Sequence, residues 1–308
     1  MDVMGNEILV LEDEESWKAE RLKGVGGSDA AVVMGASKWN STYSLWFLKR
    51  GLTVDDEQSE AAMWGSTFEG QIRDHFCEKY GIRVDIDPDF STRVDPEYPF
   101  LRASLDGYIV PGQDLSRLPF EVDQSTFGIY EGKTTSVYML EHWAEGPPKI
   151  YYYQAQHYMM VTGAAYTIFS TLFGGNTHEV YLTHRDDNVI EIMRETEIEF
   201  WRRVVEDEPP DVDGHEKTKE TLDSMYDVGP EDFINFSKEA GEWADEIVTL
   251  KEEISAREEK KNLLENKLRD EMKGATVGYL PDEKFKYTNK ARVNKAGKIV
   301  RTLRKSRA

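Results

Sequence analysis

Residues 127–135 read FGIYEGKTT and contain the pattern that decides the fold and the site. Apolar residues lead into Glu131 and Lys133, which stand two positions apart. Positions i and i+2 of a strand face the same side, so these two side chains share one face, and the carbonyl of Gly132 between them remains free to act as a ligand. The stretch predicts a strand that carries a carboxylate and an ammonium group side by side.

A second carboxylate ends the stretch RASLDG at 102–107, 25 positions before Glu131. Hydrolysis of a phosphodiester needs a cation that binds the phosphate and lowers the pKa of the attacking water, and Mg²⁺ prefers carboxylate and carbonyl oxygens. Asp106, Glu131 and Gly132 are therefore candidate ligands for Mg²⁺, with Mn²⁺ as a possible substitute. An Asp and a downstream Glu-x-Lys also occur as surface ion pairs, but the apolar sequence around both motifs favours a site beside the core.

The segment 58–80 predicts a long helix that ends at Gly81. Its apolar residues recur every fourth position and form one stripe: Trp64, Phe68, Ile72, Phe76 and Tyr80. At about 100° per residue, Glu69 projects onto the same stripe. Glu69 is thus a third carboxylate expected to point inward.

The remaining elements predict an α/β domain with a mixed central sheet flanked by helices. Strands are expected at 82–86, 100–110, 127–135, 165–172 and 179–183, and helices after Ser28 and at 42–51, 150–161 and 187–206. The domain is expected to cover 1–210, followed by a linker at 211–230, a helical arm at 231–273 and a basic tail with short strands at 274–308. The arm carries apolar residues near heptad spacing, interrupted by Arg257 and Lys261, so a hairpin or packed arm remains as open as a coiled coil.

Charge is distributed very unevenly along the chain. The formal charge of the whole chain is −20, yet the last 25 residues hold ten Lys or Arg and no acidic residue, so the preceding 283 carry −30. Such a tail favours contact with DNA phosphates or an acidic surface, and its candidate DNA-binding residues are Lys290, Arg292, Arg301 and Arg304. The acidic remainder is expected to repel DNA elsewhere.

Cysteine content and hydropathy exclude several classes of protein. The single Cys77 rules out an internal disulfide, a Cys-based zinc site and an iron–sulfur cluster. An acidic start and the lack of an apolar run of roughly 18 residues predict a cytoplasmic protein that does not span a membrane.

Five blocks in order resemble the YqaJ-like viral recombinase nucleases, which are similar to the phage lambda exonuclease within the PD-(D/E)xK superfamily. The blocks lie within 21–210 and are RLKGVGGSDA at 21–30, WGSTFE at 64–69, SLDG at 104–107, EGKT at 131–134 and QAQHYMMVTG at 154–163. The resemblance departs from the family pattern in two respects: Leu105 replaces the usual Pro before Asp106, and the loop from Asp106 to Glu131 looks longer than in the lambda enzyme.

This resemblance implies a role for each candidate residue. Asp106, Glu131 and the Gly132 carbonyl would bind the metal, and Lys133 would position or activate the water. Glu69 would bind a second ion or its water shell, and Gln154 would orient the site. Arg21, Ser28 and Ser104 would hold a 5′ phosphate, although Ser28 also suits a helix cap, Arg21 a surface cation and Gln154 a solvated position.

The resemblance also implies an activity and partners. The expected reaction is Mg²⁺-dependent digestion of the 5′ strand of linear double-stranded DNA, which leaves 3′ single strands for recombination. Lambda-type enzymes form trimeric rings and work with a single-strand annealing protein, so both are expected partners. Two alternatives remain open: another nuclease of the superfamily, such as an endonuclease or part of a repair complex, and a non-catalytic protein that binds DNA or assembles through its arm and tail.

Overall fold

The computed structural model describes residues 5–53, 59–226, 233–281, 284–294 and 296–307. The chain divides into two compact units, Met1–Asp227 and Val228–Ala308. In the first unit the elements are, in order, β1 (Glu7–Val10), α1 (Glu14–Arg21), α2 (Gly27–Val33), α3 (Thr42–Lys49), α4 (Glu60–Tyr80), β2 (Ser91–Val94), β3 (Arg102–Ala103), β4 (Gly107–Ile109), β5 (Gly128–Thr135), a 3-10 helix (Val137–Trp143), α5 (Lys149–Thr162), β6 (Tyr166–Phe173), β7 (Thr177–His184), α6 (Asp187–Glu206) and α7 (Glu216–Met225).

The central sheet has the order β4-β5-β6-β7. β5 pairs with β4 and β6 with β7 in antiparallel fashion, whereas β5 and β6 are parallel and place Glu131 opposite Phe169. The parallel pair is joined across the connection that contains α5, as a crossover requires. The predicted mixed sheet flanked by helices is therefore confirmed.

The strand predicted at 100–110 is instead two strands that belong to different sheets. β3 pairs with β2 in a small sheet of order β1-β2-β3, while β4 pairs with β5 in the central sheet. The prediction of a strand at 82–86 is wrong, because only an isolated bridge between Asp85 and Tyr108 forms there. Whether a segment forms a strand, and in which sheet, depends here on pairing partners that are distant in sequence. The propensity of the segment itself does not reveal these partners.

Helix α4 has the predicted end but a different buried face. Gly81 ends the helix with a φ of +71°, a conformation that glycine adopts without strain. Ile72, Phe76 and Tyr80 are buried, whereas Trp64 and Phe68 remain 47% and 40% exposed and stack on each other at 5.6 Å. Only the second half of the predicted stripe is thus part of the core.

The linker predicted at 211–230 contains a packed helix. α7 lies against α3, where Thr218 Oγ1 donates a hydrogen bond to Ser41 Oγ at 2.7 Å and Thr221 Oγ1 to Ser44 Oγ at 2.8 Å. All four of these side chains are buried. Composition predicts a polar loop because such hydroxyl contacts are not visible in a hydrophobic pattern, and the compact unit accordingly extends to Asp227.

A buried ion pair links α5, α6 and β3. His157 and Glu197 are both fully buried, with His157 Nδ1 at 2.9 Å from Glu197 Oε2 and His157 Nε2 at 2.8 Å from the carbonyl oxygen of Arg102. Both acceptors can be satisfied only when each ring nitrogen carries a proton. Burial alone lowers the pKa of His157, but the Glu197 carboxylate and the Arg102 carbonyl raise it above its usual value.

We expect Glu197→Gln to destabilise the first unit by about 3–5 kcal/mol at low pH, because it leaves a buried imidazolium without its counterion. Since the pKa of His157 is raised on folding, the stabilisation is fully present below the unfolded value near 6.5 and is lost as the pH rises through the higher folded value. Urea unfolding of both proteins across this pH range measures the difference. A difference that grows with pH would contradict the assignment.

The second unit contains α8 (Lys238–Met272), β8 (Val277–Tyr279), β9 (Phe285–Val293) and β10 (Ile299–Arg307). The strands form an antiparallel sheet of order β10-β9-β8, so the predicted strands of the tail are present and are nine residues long in β9 and β10. An ideal Cβ built on Gly278 would lie 3.4 Å from the Met272 side chain, so the end of the arm packs on the sheet. Within the described ranges, no helix has both the length and the apolar character needed to cross a membrane.

Candidate active site

Strand β5 positions the carboxylate and the lysine as the sequence predicts. Glu131 is 2% exposed, and Lys133 Nζ donates a hydrogen bond to its Oε1 at 2.6 Å. Gln154 Nε2 on α5 donates to the same oxygen at 2.8 Å and also to Tyr158 Oη at 3.0 Å. Gln154 is therefore bound to the site and is not merely solvated.

The second carboxylate oxygen of Glu131 has no such partner. Glu131 Oε2 is buried and accepts no hydrogen bond from the part of the chain that the structure describes. A buried carboxylate oxygen without a donor costs free energy, which a cation would offset. This atom is a fitting metal ligand.

Asp106 lies beside Glu131 because β4 and β5 are neighbours. The N–H of Gly132 donates to Asp106 Oδ2 at 2.8 Å and fixes the carboxylate in place. An ideal Cβ at position 132 would lie 3.7 Å from both Asp106 Oδ2 and Glu69 Cγ. The small Gly132 therefore lies between two predicted ligands and keeps the space beside Asp106 and Glu69 open.

Burial raises the pKa of all three carboxyl groups, and the Asp106 charge raises those of Glu69 and Glu131 further. Burial first and the Asp106 charge second raise the pKa of Glu131 to about 8, and the same two causes raise the pKa of Glu69 to about 7. Burial also raises the pKa of Asp106, although Lys133, the Gly132 N–H and Arg73 act in the opposite direction. Crowded negative charge of this kind is what a divalent cation relieves.

Lys133 remains a cation in this setting. Burial alone would lower its pKa, but the adjacent Glu131 and Asp106 carboxylates raise it above the usual lysine value. The ammonium group also lies 5.1 Å from the centroid of the Tyr151 ring. It is suited to holding a negative group or a water molecule and poorly suited to accepting a proton.

Arg73 is a site residue that sequence reasoning missed. It lies one helical turn after Glu69 on α4, and its Nη1 donates to the Asp106 carbonyl oxygen at 3.4 Å. The spacing of four positions from an inward carboxylate is the signal that could have indicated it. Arg73 supplies positive charge beside Asp106 from a different element than Lys133.

The residues fit a divalent cation, although they do not form a complete ligand shell. Among the described residues, no three His, Cys, Asp or Glu side chains are already grouped as a metal-binding cluster. The unpaired Glu131 Oε2, the open space beside Gly132 and the raised pKa values of Glu69 and Glu131 nevertheless favour a cation. Carboxylate oxygens are also the ligands that hard cations prefer.

The candidate phosphate residues open onto the same cleft as Glu69 and Asp106. A cleft of about 660 Å³ is lined by Arg21, Ser28 and Ser104 as well as by Glu69, Asp106 and Gln154. Arg21 Nη2 donates to Ser28 Oγ at 3.2 Å, and its guanidinium lies 4.9 Å from the centroid of the Trp17 ring. The structure thus brings together residues that are up to 133 positions apart, from Arg21 to Gln154.

Two of these hydroxyl residues differ from expectation. Ser28 is not the N-cap of its helix, because α2 begins at Gly27 after Gly26, whose N–H donates to Asp29 Oδ2. Ser28 lies in the first turn and is exposed. Ser104 Oγ donates to the Ser91 carbonyl oxygen at 3.1 Å, so its proton is already engaged and it can only accept.

Gly27 sets the position of the phosphate residues relative to α5. An ideal Cβ at this position would lie 2.3 Å from the Tyr158 ring, closer than packed atoms approach. Glycine therefore allows α2 to pack tightly against α5, next to the tyrosine that Gln154 contacts. The close approach places Ser28 in the same cleft as Gln154.

The fold of the first unit also occurs in solved structures. Two solved structures share it, an alkaline exonuclease from Laribacter hongkongensis and the same enzyme in complex with dAMP. In each comparison the TM-score is 0.50 and the two sequences are 20% identical. The matched region covers 69% of this chain and 100% of the solved chain. At this identity the likeness shows a shared α/β fold.

Sequence similarity then gives the family. The family model of the YqaJ-like viral recombinase domain matches residues 16–165. The uncharacterized protein YqaJ of Bacillus subtilis strain 168 is 34% identical over 283 residues, which cover 89% of this chain and 84% of that protein. The chain therefore belongs to the YqaJ-like viral recombinase family, and the matched range contains every candidate site residue from Arg21 to Gln154.

Proposed function

We propose that this chain is a divalent-metal-dependent exonuclease that digests the 5′ strand of linear duplex DNA in the cytoplasm and leaves 3′ single strands for recombination. The observation that carries the proposal is the buried Glu131, whose one oxygen is held by Lys133 and Gln154 while the other has no partner among the described residues. A protein that only binds DNA does not require a buried carboxylate oxygen without a hydrogen-bond donor.

The chain's own residues fit distinct steps of this hydrolysis. When bound at Asp106, Glu131 and the Gly132 carbonyl, with Glu69 nearby, Mg²⁺ or Mn²⁺ would lower the pKa of a water molecule and polarise the phosphate. Gln154 holds Glu131 Oε1 and the Gly132 N–H holds Asp106 Oδ2, so both carboxylates are preorganised. Lys133 stays protonated and positions the attacking water or the phosphate.

The cleft supports digestion from an end. Arg21 and Ser28 form a hydrogen-bonded pair in the cleft that also contains Asp106. A guanidinium with an adjacent hydroxyl suits the extra charge of a terminal 5′ phosphate. Since a solved protein of this fold binds dAMP, release of mononucleotides is the product that we propose. A ring of three copies and a single-strand annealing partner remain part of the proposal.

The test separates this reaction from its alternatives. A covalently closed plasmid and the same plasmid linearised are incubated with the protein in Mg²⁺ and in Mn²⁺. We expect degradation of the linear form alone. Cutting of the closed circle would favour an endonuclease, and no turnover with either ion would favour a non-catalytic DNA-binding or assembly protein.

We expect Arg21→Ala to remove the preference for a 5′ phosphate over a 5′ hydroxyl end. A hydrogen bond to a charged group is worth about 1.5–3 kcal/mol, which corresponds to roughly a 10- to 100-fold loss of rate on phosphorylated ends. Lys18→Ala is the matched control, because Lys18 is an exposed cation on the same helix and does not line the cleft. Equal losses in the two variants would exclude a phosphate role for Arg21.

The basic tail adds a second DNA contact in the proposal. In the β9–β10 pairing, Arg304 lies opposite Thr288, so it shares a face with Lys290 and Arg292. These three cations, all exposed, are called the basic face. Arg301 lies opposite Ala291 and therefore projects from the other side of the hairpin.

We expect the double change Lys290→Ala and Arg292→Ala to weaken duplex binding and to reduce the slope of log affinity against log salt by about 2, since each phosphate contact contributes roughly 0.9. Binding is measured without divalent metal, so that no DNA is consumed. Arg301→Ala with Lys305→Ala is the control, because it removes the same charge from the other side of the hairpin. Equal slopes for both doubles would contradict the basic face.

A further inference from the structure

Helix α8 has an apolar stripe that is largely exposed. Eight positions follow alternating steps of four and three, the spacing of a coiled-coil seam, and are called the α8 seam: Trp243, Ile247, Leu250, Ile254, Arg257, Lys261, Leu264 and Leu268. The first four and Leu264 are between 47% and 60% exposed, and Leu268 is half-buried. Val248 and Leu263 are exposed apolar residues off this seam. No residue of this 35-residue helix is buried, whereas most helical stability in proteins comes from the packing of an apolar face.

The two seam cations have partners on their own helix. Arg257 lies 3.8 Å from Glu253 and Lys261 lies 2.6 Å from Glu258. Both glutamates occupy the positions that flank the seam, so the cations can extend their aliphatic stems along it while their charges stay outside. They do not prevent a second helix from packing there.

We propose that α8 pairs with α8 of a second copy of this chain as an antiparallel coiled coil. In a two-fold antiparallel pair, if residue i faces residue j of the partner, j also faces i. Full overlap of the seam places Trp243 against Leu268, Ile247 against Leu264, Leu250 against Lys261 and Ile254 against Arg257. Each seam cation then faces an aliphatic residue of the other copy.

The residues flanking the seam carry charges that match this arrangement alone. With the seam fully overlapped, the facing pairs across the interface are Glu246 with Lys267, Glu253 with Lys260 and Lys251 with Glu258, and each occurs twice by symmetry. All six side chains are exposed. Every one of these contacts joins opposite charges.

Other arrangements bring like charges together. A parallel pair would place Arg257 against Arg257 and Lys261 against Lys261 in the seam, and Glu253 would face Glu258 at its flank. An antiparallel pair shifted by one heptad toward the N-terminus would place Glu253 against itself and Lys251 against itself. The opposite shift would do the same to Lys260 and Glu258. The charge pattern therefore selects both orientation and register.

Charge reversal in the full-length chain tests the pairing. We expect Glu253→Lys or Lys260→Glu alone to raise the dissociation constant about tenfold, because two attractive contacts become repulsive, and the double variant to restore it. Glu252→Lys is the matched control, since it changes the net charge equally from the face opposite the seam. Sedimentation equilibrium measures association, and circular dichroism confirms that the helix content is unchanged. Any association through residues 1–226 is the same in all variants, so it does not contribute to the differences between their dissociation constants.

The outcomes separate the arrangements. A parallel pair predicts tighter association for Glu253→Lys, because the introduced ammonium group would face Glu258, and this result would overturn the proposal. Identical sedimentation of the wild type, Glu253→Lys and Glu252→Lys would overturn it as well.

A second measurement does not depend on charge reversal. In a Cys77→Ser background, Glu246→Cys and Lys267→Cys proteins are mixed and treated with a short bismaleimide. Cross-links that form only in the mixture support the antiparallel register. Cross-links confined to either protein alone, or none at all, contradict it.

Discussion

Replacing Lys133 by alanine is expected to lower the rate of DNA hydrolysis by at least about a hundredfold, the scale seen when one preorganised donor is removed from a transition state. The ammonium group donates a hydrogen bond to Glu131 Oε1 at 2.6 Å. Its loss also removes a charge that lowers the pKa of Glu131, which burial and Asp106 raise to about 8. Single-turnover digestion of linear duplex DNA measures the effect.

The pH dependence of the variant distinguishes this explanation from simple misfolding. Lys133 lowers the pKa of Glu131, so without it the pKa rises above its value of about 8 and a more alkaline pH is needed to ionise the carboxyl. The residual activity of Lys133→Ala is therefore expected to increase with pH over a range where the wild type changes less. Wild-type activity in Lys133→Ala, or a parallel pH profile, would contradict this role.

Asp106→Asn is expected to separate stability from function. The neutral amide removes like-charge repulsion on Glu69 and Glu131, so the metal-free protein should gain about 1 kcal/mol, or roughly 2–4 °C in melting temperature for a unit of this size. The oxygen of the introduced amide can still accept a hydrogen bond from the Gly132 N–H. Loss of a metal-ligand charge should at the same time reduce activity by about a thousandfold.

Melting temperatures with and without Mg²⁺ measure the stability and the metal binding of Asp106→Asn, and digestion of linear duplex DNA measures its activity. The ion should stabilise the wild type, because ligands that bind only the native state raise its stability, and should have little effect on Asp106→Asn. Asp74→Asn is the matched control, since Asp74 is an exposed carboxylate on α4. Equal stabilisation of the wild type and Asp106→Asn by Mg²⁺ would exclude Asp106 as a ligand.

The elements next to the site were predictable because their signals are local. The period-two arrangement of Glu131, Gly132 and Lys133 identified β5, and the glycine stop at Gly81 identified the end of α4. The five ordered blocks identified the family, which sequence similarity confirms. The strand and the helix end depend on residues only a few positions apart in the sequence, and the blocks depend on their order along the chain.

The remainder depends on contacts between distant segments. The split of 100–110 into β3 and β4 arises from different partners, β2 and β5, and the linker helix α7 arises from hydroxyl contacts with α3. Arg73 reaches the Asp106 carbonyl only because α4 lies across that end of the sheet. The division of the tail cations between two faces follows from strand register, which composition does not contain.

Digestion of a linear duplex that carries one 5′ phosphate and a different label on each strand tests the proposed reaction. The wild type in Mg²⁺ is compared with Lys133→Ala and with the wild type in a chelator. We expect mononucleotides from the 5′-phosphorylated strand only with the wild type in Mg²⁺, while the complementary strand stays intact. Release from the 3′ end, release in the chelator, or no release with either Mg²⁺ or Mn²⁺ would contradict it.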